Sequence, residues 1–120
     1  MTQLYDLLNK IREKPGMYLG YPSVSNLFMF LCGYNQSHAD LDLPLTEQEE
    51  EFQEFQPWLQ KRFNLSTSAS WARIIMLYTT NEETGFSMFF ELLEEFRQEQ
   101  NKGSDFGDKL ELPPAIARKL

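Results

Sequence analysis

The sequence has one cysteine, Cys32, and one histidine, His38, among its 120 residues. A single cysteine excludes an intrachain disulfide and agrees with a reducing compartment. The histidine pair at helical spacing and the cysteine pairs that hold zinc are both missing. We therefore expect neither a metal ion nor another cofactor.

Positive charge is also scarce, because 11 Lys and Arg residues stand against 18 Asp and Glu, for a formal net charge of −7. Binding to nucleic acid or to an anionic membrane surface requires clustered Lys and Arg. The longest apolar run, Leu27 to Cys32, is far shorter than the roughly 20 residues of a membrane span. The opening MTQLYDLLNK has no signal-peptide pattern. We expect a cytoplasmic protein that binds neither nucleic acid nor membrane.

Apolar residues are plentiful, and they recur at helical spacing in five segments. The hydrophobic content of 42% is too high for a disordered chain. The five apolar stripes are Leu4, Leu7, Leu8 and Ile11; Leu27, Phe28, Leu31 and Tyr34; Phe52, Phe55, Leu59 and Phe63; Trp71, Ile74, Ile75 and Tyr78; and Phe86, Phe89, Phe90, Leu93 and Phe96. They predict an all-α fold, an irregular single-domain bundle of about five helices.

Capping residues indicate where these helices begin. Thr2 can cap the first helix, and Ser23 or Ser25 the second. Thr46 with Glu49 three residues later predicts a capping box at the third helix. Ser70 can cap the fourth, although the β-branched residues in 74–80 leave a strand possible there.

Proline and glycine indicate where the helices break. Pro15 and Gly16 end the first helix, and the segment KPGMYLG that contains them is interpreted as a loop whose apolar side chains fold onto the core. Pro57 should kink or divide the third helix, because it lacks a backbone donor. The segment 102–104 should end the fifth helix. The predicted organisation is a helical domain over 1–102 and a loosely structured C-terminal tail over 103–120, in which Pro113 and Pro114 stop any long element.

No set of residues predicts catalysis. Cys32 and His38 are six residues apart, so on one helix they point in different directions. His38, Asp40 and Asp42 could offer oxygen and nitrogen ligands to a hard cation, but a solvated acidic loop is the better interpretation. The runs of glutamates lie on helix faces that we expect to be exposed, where nothing would raise a carboxyl pKa. We expect a protein that is not an enzyme.

Negative charge is concentrated, since thirteen of the eighteen acidic residues lie in 40–54 and 82–99, where Arg97 is the one basic residue. Such a surface can simply favour solubility, or it can recognise a cationic protein. In the second case, the candidate residues are acidic positions on two helices with two aromatic anchors. These partner-binding candidates are Glu47, Glu50, Glu51, Glu54, Glu91, Glu94, Glu95 and Glu99, with Trp58 and Tyr18.

Three parts of the chain resemble a group of small bacterial proteins of similar length. These parts are Leu4 to Gly20, which contains KPGMYLG, then Ser25 to Tyr34, and finally Trp71 together with Phe86 to Phe96. The group is associated with immunity proteins of polymorphic toxin and contact-dependent inhibition systems. The resemblance implies a toxin-neutralising role by analogy, and it assigns no catalytic residue.

Three functional hypotheses follow from the sequence. The first is an immunity-type protein that binds a basic toxin domain through its acidic surface and occludes the toxin's active site. The alternative is a generic helical adaptor, perhaps homodimeric, that uses the apolar face of Phe86, Phe89 and Phe90. The third is a small carboxylate enzyme or a divalent-metal protein, which calorimetry with calcium, magnesium and zinc would test. Either a monomer or a homodimer agrees with the first hypothesis.

Overall fold

A computed structural model describes residues 3–110 of the chain, and it describes their side chains up to residue 102. Over that range every regular element is a helix, so the predicted all-α fold is confirmed and the alternative strand at 74–80 is wrong. The helices are α1 (Leu4–Glu13), α2 (Pro15–Leu19), α3 (Val24–Asp40), α4 (Glu47–Gln53), α5 (Phe55–Arg62), α6 (Trp71–Met76) and α7 (Glu82–Leu110).

The predicted caps of α3, α4 and α6 are confirmed. The Ser23 hydroxyl accepts the Asn26 N–H at 3.0 Å, and the Ser70 hydroxyl accepts the Arg73 N–H at 3.3 Å. The capping box of α4 is complete, since the N–H of Thr46 donates to Glu49 at 2.8 Å and the N–H of Glu49 donates to Thr46 at 3.2 Å. These bonds satisfy backbone donors that have no partner within the helix.

Pro57 divides the predicted third helix as expected. The break falls at Glu54, which leaves Pro57 in the first turn of α5, where a missing N–H costs nothing. The segment containing Pro15 behaves differently from the prediction of a loop. It forms the short helix α2, and Met17 is 76% exposed there rather than folded onto the core.

The first helix has no side-chain cap of its own. Its Tyr5 N–H instead donates to the Gln48 side chain of α4 at 2.9 Å, and the Tyr5 hydroxyl donates to Glu51 at 2.7 Å. The predicted cap Thr2 lies outside the described residues. The Gln48 side chain therefore caps the start of α1, and both hydrogen bonds hold the two helices together.

The long helix α7 runs to Leu110, so the predicted helix end at 102–104 is wrong. Residues 111–120 of the predicted tail, with Pro113 and Pro114, lie outside the described residues, and the predicted domain boundary at 102 stays a prediction. The chain divides within α7 into two compact units, Met1–Phe90 and Glu91–Leu120. In the second unit Leu92, Leu93 and Phe96 are buried.

An aromatic cluster forms the centre of the first unit. The Phe89 ring centroid lies 4.8 Å from that of Trp71, 5.5 Å from that of Phe55 and 6.3 Å from that of Phe52. Phe55 and Phe89 are fully buried, and Trp71 is nearly so. Since aromatic side chains bury large areas and pack edge to face, this cluster fixes how α4, α5, α6 and the start of α7 meet. Around it lie the buried stripes Leu4, Leu8 and Ile11 of α1 and Val24, Leu27 and Leu31 of α3.

Candidate functional site

The end of α3 and the start of α4 create a partly enclosed polar region in the first unit. At the end of α3 the N–H of Leu43 donates to the carbonyl of His38, and the N–H of Asp42 donates to that of Ala39, each at 3.0 Å. This pair of bonds is a Schellman motif. Asp42 occupies its left-handed position, with φ 55°, where glycine is usual. The chain thereby reverses towards the capping box at Thr46.

The reversal leaves Leu41, Leu43 and Leu45 between 41% and 66% exposed. Acidic residues flank them on both sides, with Asp40 and Asp42 in the same turn. A row of exposed leucines within an acidic surface is typical of a protein-binding surface rather than of a purely solvating one.

Glu49 is the buried carboxylate of this region, with only 6% of its surface exposed. It accepts the Thr46 N–H and the Tyr34 hydroxyl, and its Oε2 lies 3.7 Å from His38 Nδ1. Burial raises the pKa of Glu49, but its hydrogen bonds from Thr46 and Tyr34 and the nearby His38 outweigh burial, and the pKa falls below its ordinary value. Glu49 is therefore ionised at neutral pH.

Tyr34 and His38 form one wall of the cluster, with ring centroids 4.1 Å apart across one turn of α3. Burial and the Glu49 carboxylate, to which the Tyr34 hydroxyl donates, together raise the pKa of Tyr34 to about 12. The phenol thus stays protonated and holds the carboxylate in place. We name Tyr34, His38 and Glu49 the polar cluster.

A cavity of about 200 Å³ opens beside the polar cluster. Five of the ten residues that line it are large apolar residues from α1, α3, the 41–45 turn and α4. Asn35, His38, Glu49 and Gln53 add polar atoms, and Ala39 completes it. The apolar lining residues are Leu4, Leu31, Leu43, Leu45 and Phe52.

Sequence reasoning found parts of this site but not their association. The sequence predicts the capping box, but it also predicts that Glu49 is exposed with the neighbouring glutamates, and that prediction is wrong for this residue. The sequence places His38 with Asp40 and Asp42, whereas in the structure its side chain faces Glu49. The spacing of four between Tyr34 and His38 indicates that the two side chains are neighbours, because it places both rings on one face of α3.

The alternative chemistries gain no support. Cys32 lies on the same helix as His38 and is exposed. The distance from His38 Nδ1 to the Glu49 carboxylate is longer than a hydrogen bond. Asp40 accepts from Gln36 on its own helix at 2.9 Å. Within residues 3–110, no group of three His, Cys, Asp or Glu side chains is arranged to hold a metal ion.

The predicted partner-binding glutamates of α4 separate into two kinds. Glu47, Glu50 and Glu54 are exposed, and the structure records no ion pair between them and any described residue. Glu51 is half-buried and accepts from Tyr5, so it serves the contact between α1 and α4. We name Glu47, Glu50 and Glu54 the α4 acidic face.

The other predicted partner-binding residues lie on α7, α5 and α2. On α7, within the second unit, Glu91, Glu94 and Glu99 are exposed and Glu95 is half-buried. The predicted anchor Trp58 is half-buried and stacks on Phe55 with ring centroids 5.9 Å apart. The predicted anchor Tyr18 is half-buried and meets Phe30 edge-on at 6.2 Å.

The three phenylalanines that the adaptor hypothesis uses for partner binding are buried in the chain. Phe86, Phe89 and Phe90 are at most 5% exposed in the single chain. These three side chains therefore offer little surface to a partner, and the adaptor hypothesis stays a prediction.

A second ionised carboxylate lies at the start of α7. Glu82 accepts the Ser23 hydroxyl at 2.9 Å, the Ser25 N–H at 2.9 Å and the Ser25 hydroxyl at 2.8 Å. Burial raises its pKa, but these hydrogen bonds outweigh burial and lower the pKa below its ordinary value. The carboxylate thus joins the start of α7 to the start of α3.

We expect this arrangement to make the fold sensitive to acid. A carboxyl whose pKa is lower in the folded chain stabilises the fold above its unfolded pKa, and that contribution disappears as the pH falls through the folded pKa. Glu82→Gln should lower the free energy of unfolding by roughly 1 kcal/mol at neutral pH. It should also flatten the loss of stability that sets in as the pH falls below the ordinary pKa of a glutamate. Urea denaturation at a series of pH values measures both effects.

The matched control for Glu82 is its neighbour Glu83, which is exposed. Glu83→Gln should leave both the stability and its pH dependence close to those of the unaltered chain. Equal pH profiles for the two variants would contradict the role assigned to Glu82.

None of the helices described for residues 3–110 is sufficiently long and apolar to span a membrane. A scan against protein-family models, a search of curated proteins and a search of solved structures each found no match to this chain. The resemblance to immunity proteins therefore stays a prediction.

Proposed function

We propose that this chain is a non-catalytic binding protein of the immunity type. It binds a cognate toxin domain and neutralises it by covering the cationic surface around its active site. The partner is a protein, and the binding involves neither nucleic acid nor membrane. The protein acts in the cytoplasm, without a cofactor and without turnover.

One observation carries this proposal: the α4 acidic face is exposed and has no ion pair with any described residue. Glu47 and Glu50 of α4 and its C-cap residue Glu54 follow one another at spacings of three and four, so their like charges repel. This repulsion costs stability in the isolated chain. A cationic partner relieves it and is drawn in by the same negative potential.

The neighbouring turn supports a protein as the partner. Leu41, Leu43 and Leu45 offer apolar surface directly before the α4 acidic face. Protein interfaces combine an apolar centre with a polar rim, and this part of the first unit has both. Trp58 and Tyr18 are the candidate aromatic anchors, since both remain partly exposed.

The test begins with a partner chosen by gene position. If the neighbouring gene encodes a large secreted protein with a variable C-terminal domain, that domain is produced in a bacterial host with and without this chain. We expect growth arrest by the domain alone and normal growth with both. The purified pair should associate rapidly, and the association rate should fall as salt is added. A domain that arrests growth equally in the presence of this chain would reject the immunity function.

The contribution of the α4 acidic face is measured with a triple variant, Glu47→Gln, Glu50→Gln and Glu54→Gln. We expect an association rate about tenfold lower at low salt and a weaker dependence on salt. The matched control is Asp6→Asn, Glu13→Gln and Glu83→Gln, which neutralises three other exposed carboxylates. Both variants change the net charge equally, so a difference between them locates the binding face.

A third variant separates the two predicted acidic regions. Glu91→Gln, Glu94→Gln and Glu99→Gln neutralise exposed carboxylates of α7 in the second unit. If the α7 variant slows association and the α4 variant does not, the binding face lies on α7. If all three variants bind like the unaltered chain, electrostatic recognition is wrong.

A further inference from the structure

We propose that the cavity between α3 and α4 receives one arginine side chain of the protein partner. The inference rests on the proposed function, in that it takes the partner to be a protein with a cationic surface. It goes further by naming the chemical group that is bound and the side chains that bind it.

The walls of the cavity suit the methylene stem of such a side chain. Leu4, Leu31 and Phe52 form the inner apolar lining, and Leu43 and Leu45 form the partly exposed side. Long cationic side chains bury their stems against apolar surface while their charged heads reach polar groups. A cavity of about 200 Å³ has room for one side chain rather than for a larger ligand.

The polar groups of the cavity suit the guanidinium head. Glu49 is ionised and almost completely buried, so it places a fixed negative charge within an apolar lining. It accepts from Thr46 and Tyr34, and a carboxylate has about four acceptor positions, so it can still accept from a ligand. The side-chain carbonyl groups of Asn35 and Gln53, which also line the cavity, can accept further N–H groups.

Arginine matches this arrangement better than lysine does. Its planar guanidinium presents five donors in fixed directions, and three side chains of the cavity offer acceptors at separate points. It is also less strongly hydrated than an ammonium group, so its transfer into an apolar lining costs less.

Exposed acidic residues close in sequence to the lining of the cavity favour a cation. Asp40 and Asp42 in the preceding turn and Glu47 and Glu50 on α4 are all exposed. Their combined potential repels anionic ligands and concentrates cationic ones. Charge complementarity therefore selects a basic protein segment as the occupant over a lipid surface or a second copy of this acidic chain.

The cavity is tested by itself with a small probe. N-acetyl-arginine methylamide is titrated into the full chain, and the methyl and amide resonances are followed by NMR. We expect saturable shifts in the millimolar range for Leu31, Leu43 and Leu45. N-acetyl-citrulline methylamide has nearly the same shape and no charge, and it should bind at least about tenfold more weakly, because a hydrogen bond to a buried charge is lost. The lysine probe should bind between the two.

Two variants identify the site of binding. Glu49→Gln should weaken binding of the arginine probe about tenfold. Glutamine can still complete the capping box, so we expect the variant to fold. Leu45→Trp alters a partly exposed position and should block the cavity, which provides a second test if Glu49→Gln fails to fold. Glu83→Gln removes an exposed carboxylate that does not line the cavity and should have little effect.

Three results would overturn the proposal. They are equal binding of the arginine and citrulline probes, no saturable shift up to about 100 mM probe, and equal effects of Glu49→Gln and Glu83→Gln. Because the toxin domain takes no part in this experiment, such a result leaves the α4 acidic face and the immunity function standing. Conversely, probe binding without any growth protection would retain the arginine site and reject the immunity function.

Discussion

Phe89→Ala should lower the free energy of unfolding by about 3–5 kcal/mol, the largest effect that we expect of a single substitution in this chain. Phe89 is fully buried and its ring meets those of Phe52, Phe55 and Trp71. Removing the ring forfeits its transfer free energy and leaves a cavity that the three remaining rings are too stiff to fill. Urea denaturation followed by circular dichroism measures the change.

A matched truncation at an exposed position provides the control. Leu77 follows α6 and is 68% exposed, so Leu77→Ala should change the free energy of unfolding by at most about 0.5 kcal/mol. Phe89→Leu retains part of the buried volume, so its loss in free energy of unfolding should lie between those of Phe89→Ala and Leu77→Ala. If Phe89→Ala cost no more than Leu77→Ala, the aromatic cluster would not be the centre of the first unit.

The same substitution should have opposite effects at two glycines. A Cβ atom at Gly85 would lie 2.8 Å from Val24 Cγ1 and 3.2 Å from Met76 Sδ. Val24 is fully buried and its branched side chain has little freedom to move. Gly85→Ala should therefore lower the free energy of unfolding by about 1–3 kcal/mol, although alanine is the better helix former.

At Gly33 an added Cβ meets nothing within 4 Å, and the residue lies inside α3. Gly33→Ala should raise the free energy of unfolding by about 0.5–1 kcal/mol, because alanine loses less backbone entropy. Urea denaturation of the two variants in parallel measures both changes in the free energy of unfolding. Equal and stabilising effects at both positions would show that α7 does not approach Val24 as closely as described.

Much of the secondary structure could be predicted because its causes are local. The caps at Ser23, Thr46 and Ser70 depend on residues three positions apart, and the division of the third helix depends on Pro57 alone. The strand alternative at 74–80 failed because a cap and the packing of Trp71, Ile74 and Ile75 outweigh β-branching.

The candidate site could be predicted only in part. The exposed carboxylates of the α4 acidic face follow from helical spacing and charge. The cap of α1 cannot be predicted in this way, because Gln48 reaches the Tyr5 N–H from a helix more than forty positions along the chain. The role of Gly85 is equally remote, since it depends on the approach of Val24. No pattern within a short window reports such contacts.

The sequence by itself determined the all-α fold, most helix starts and the concentration of negative charge in two segments, because each depends on neighbours within a few residues. Only the tertiary structure decided which of those charges face solvent. It placed Glu49 beside Tyr34 and His38 in a cavity, tied Glu51 to Tyr5, and left Glu47, Glu50 and Glu54 exposed. The physical reason is that burial and hydrogen bonding of a carboxylate depend on which helix packs against it, and that is set by the packing of the whole unit.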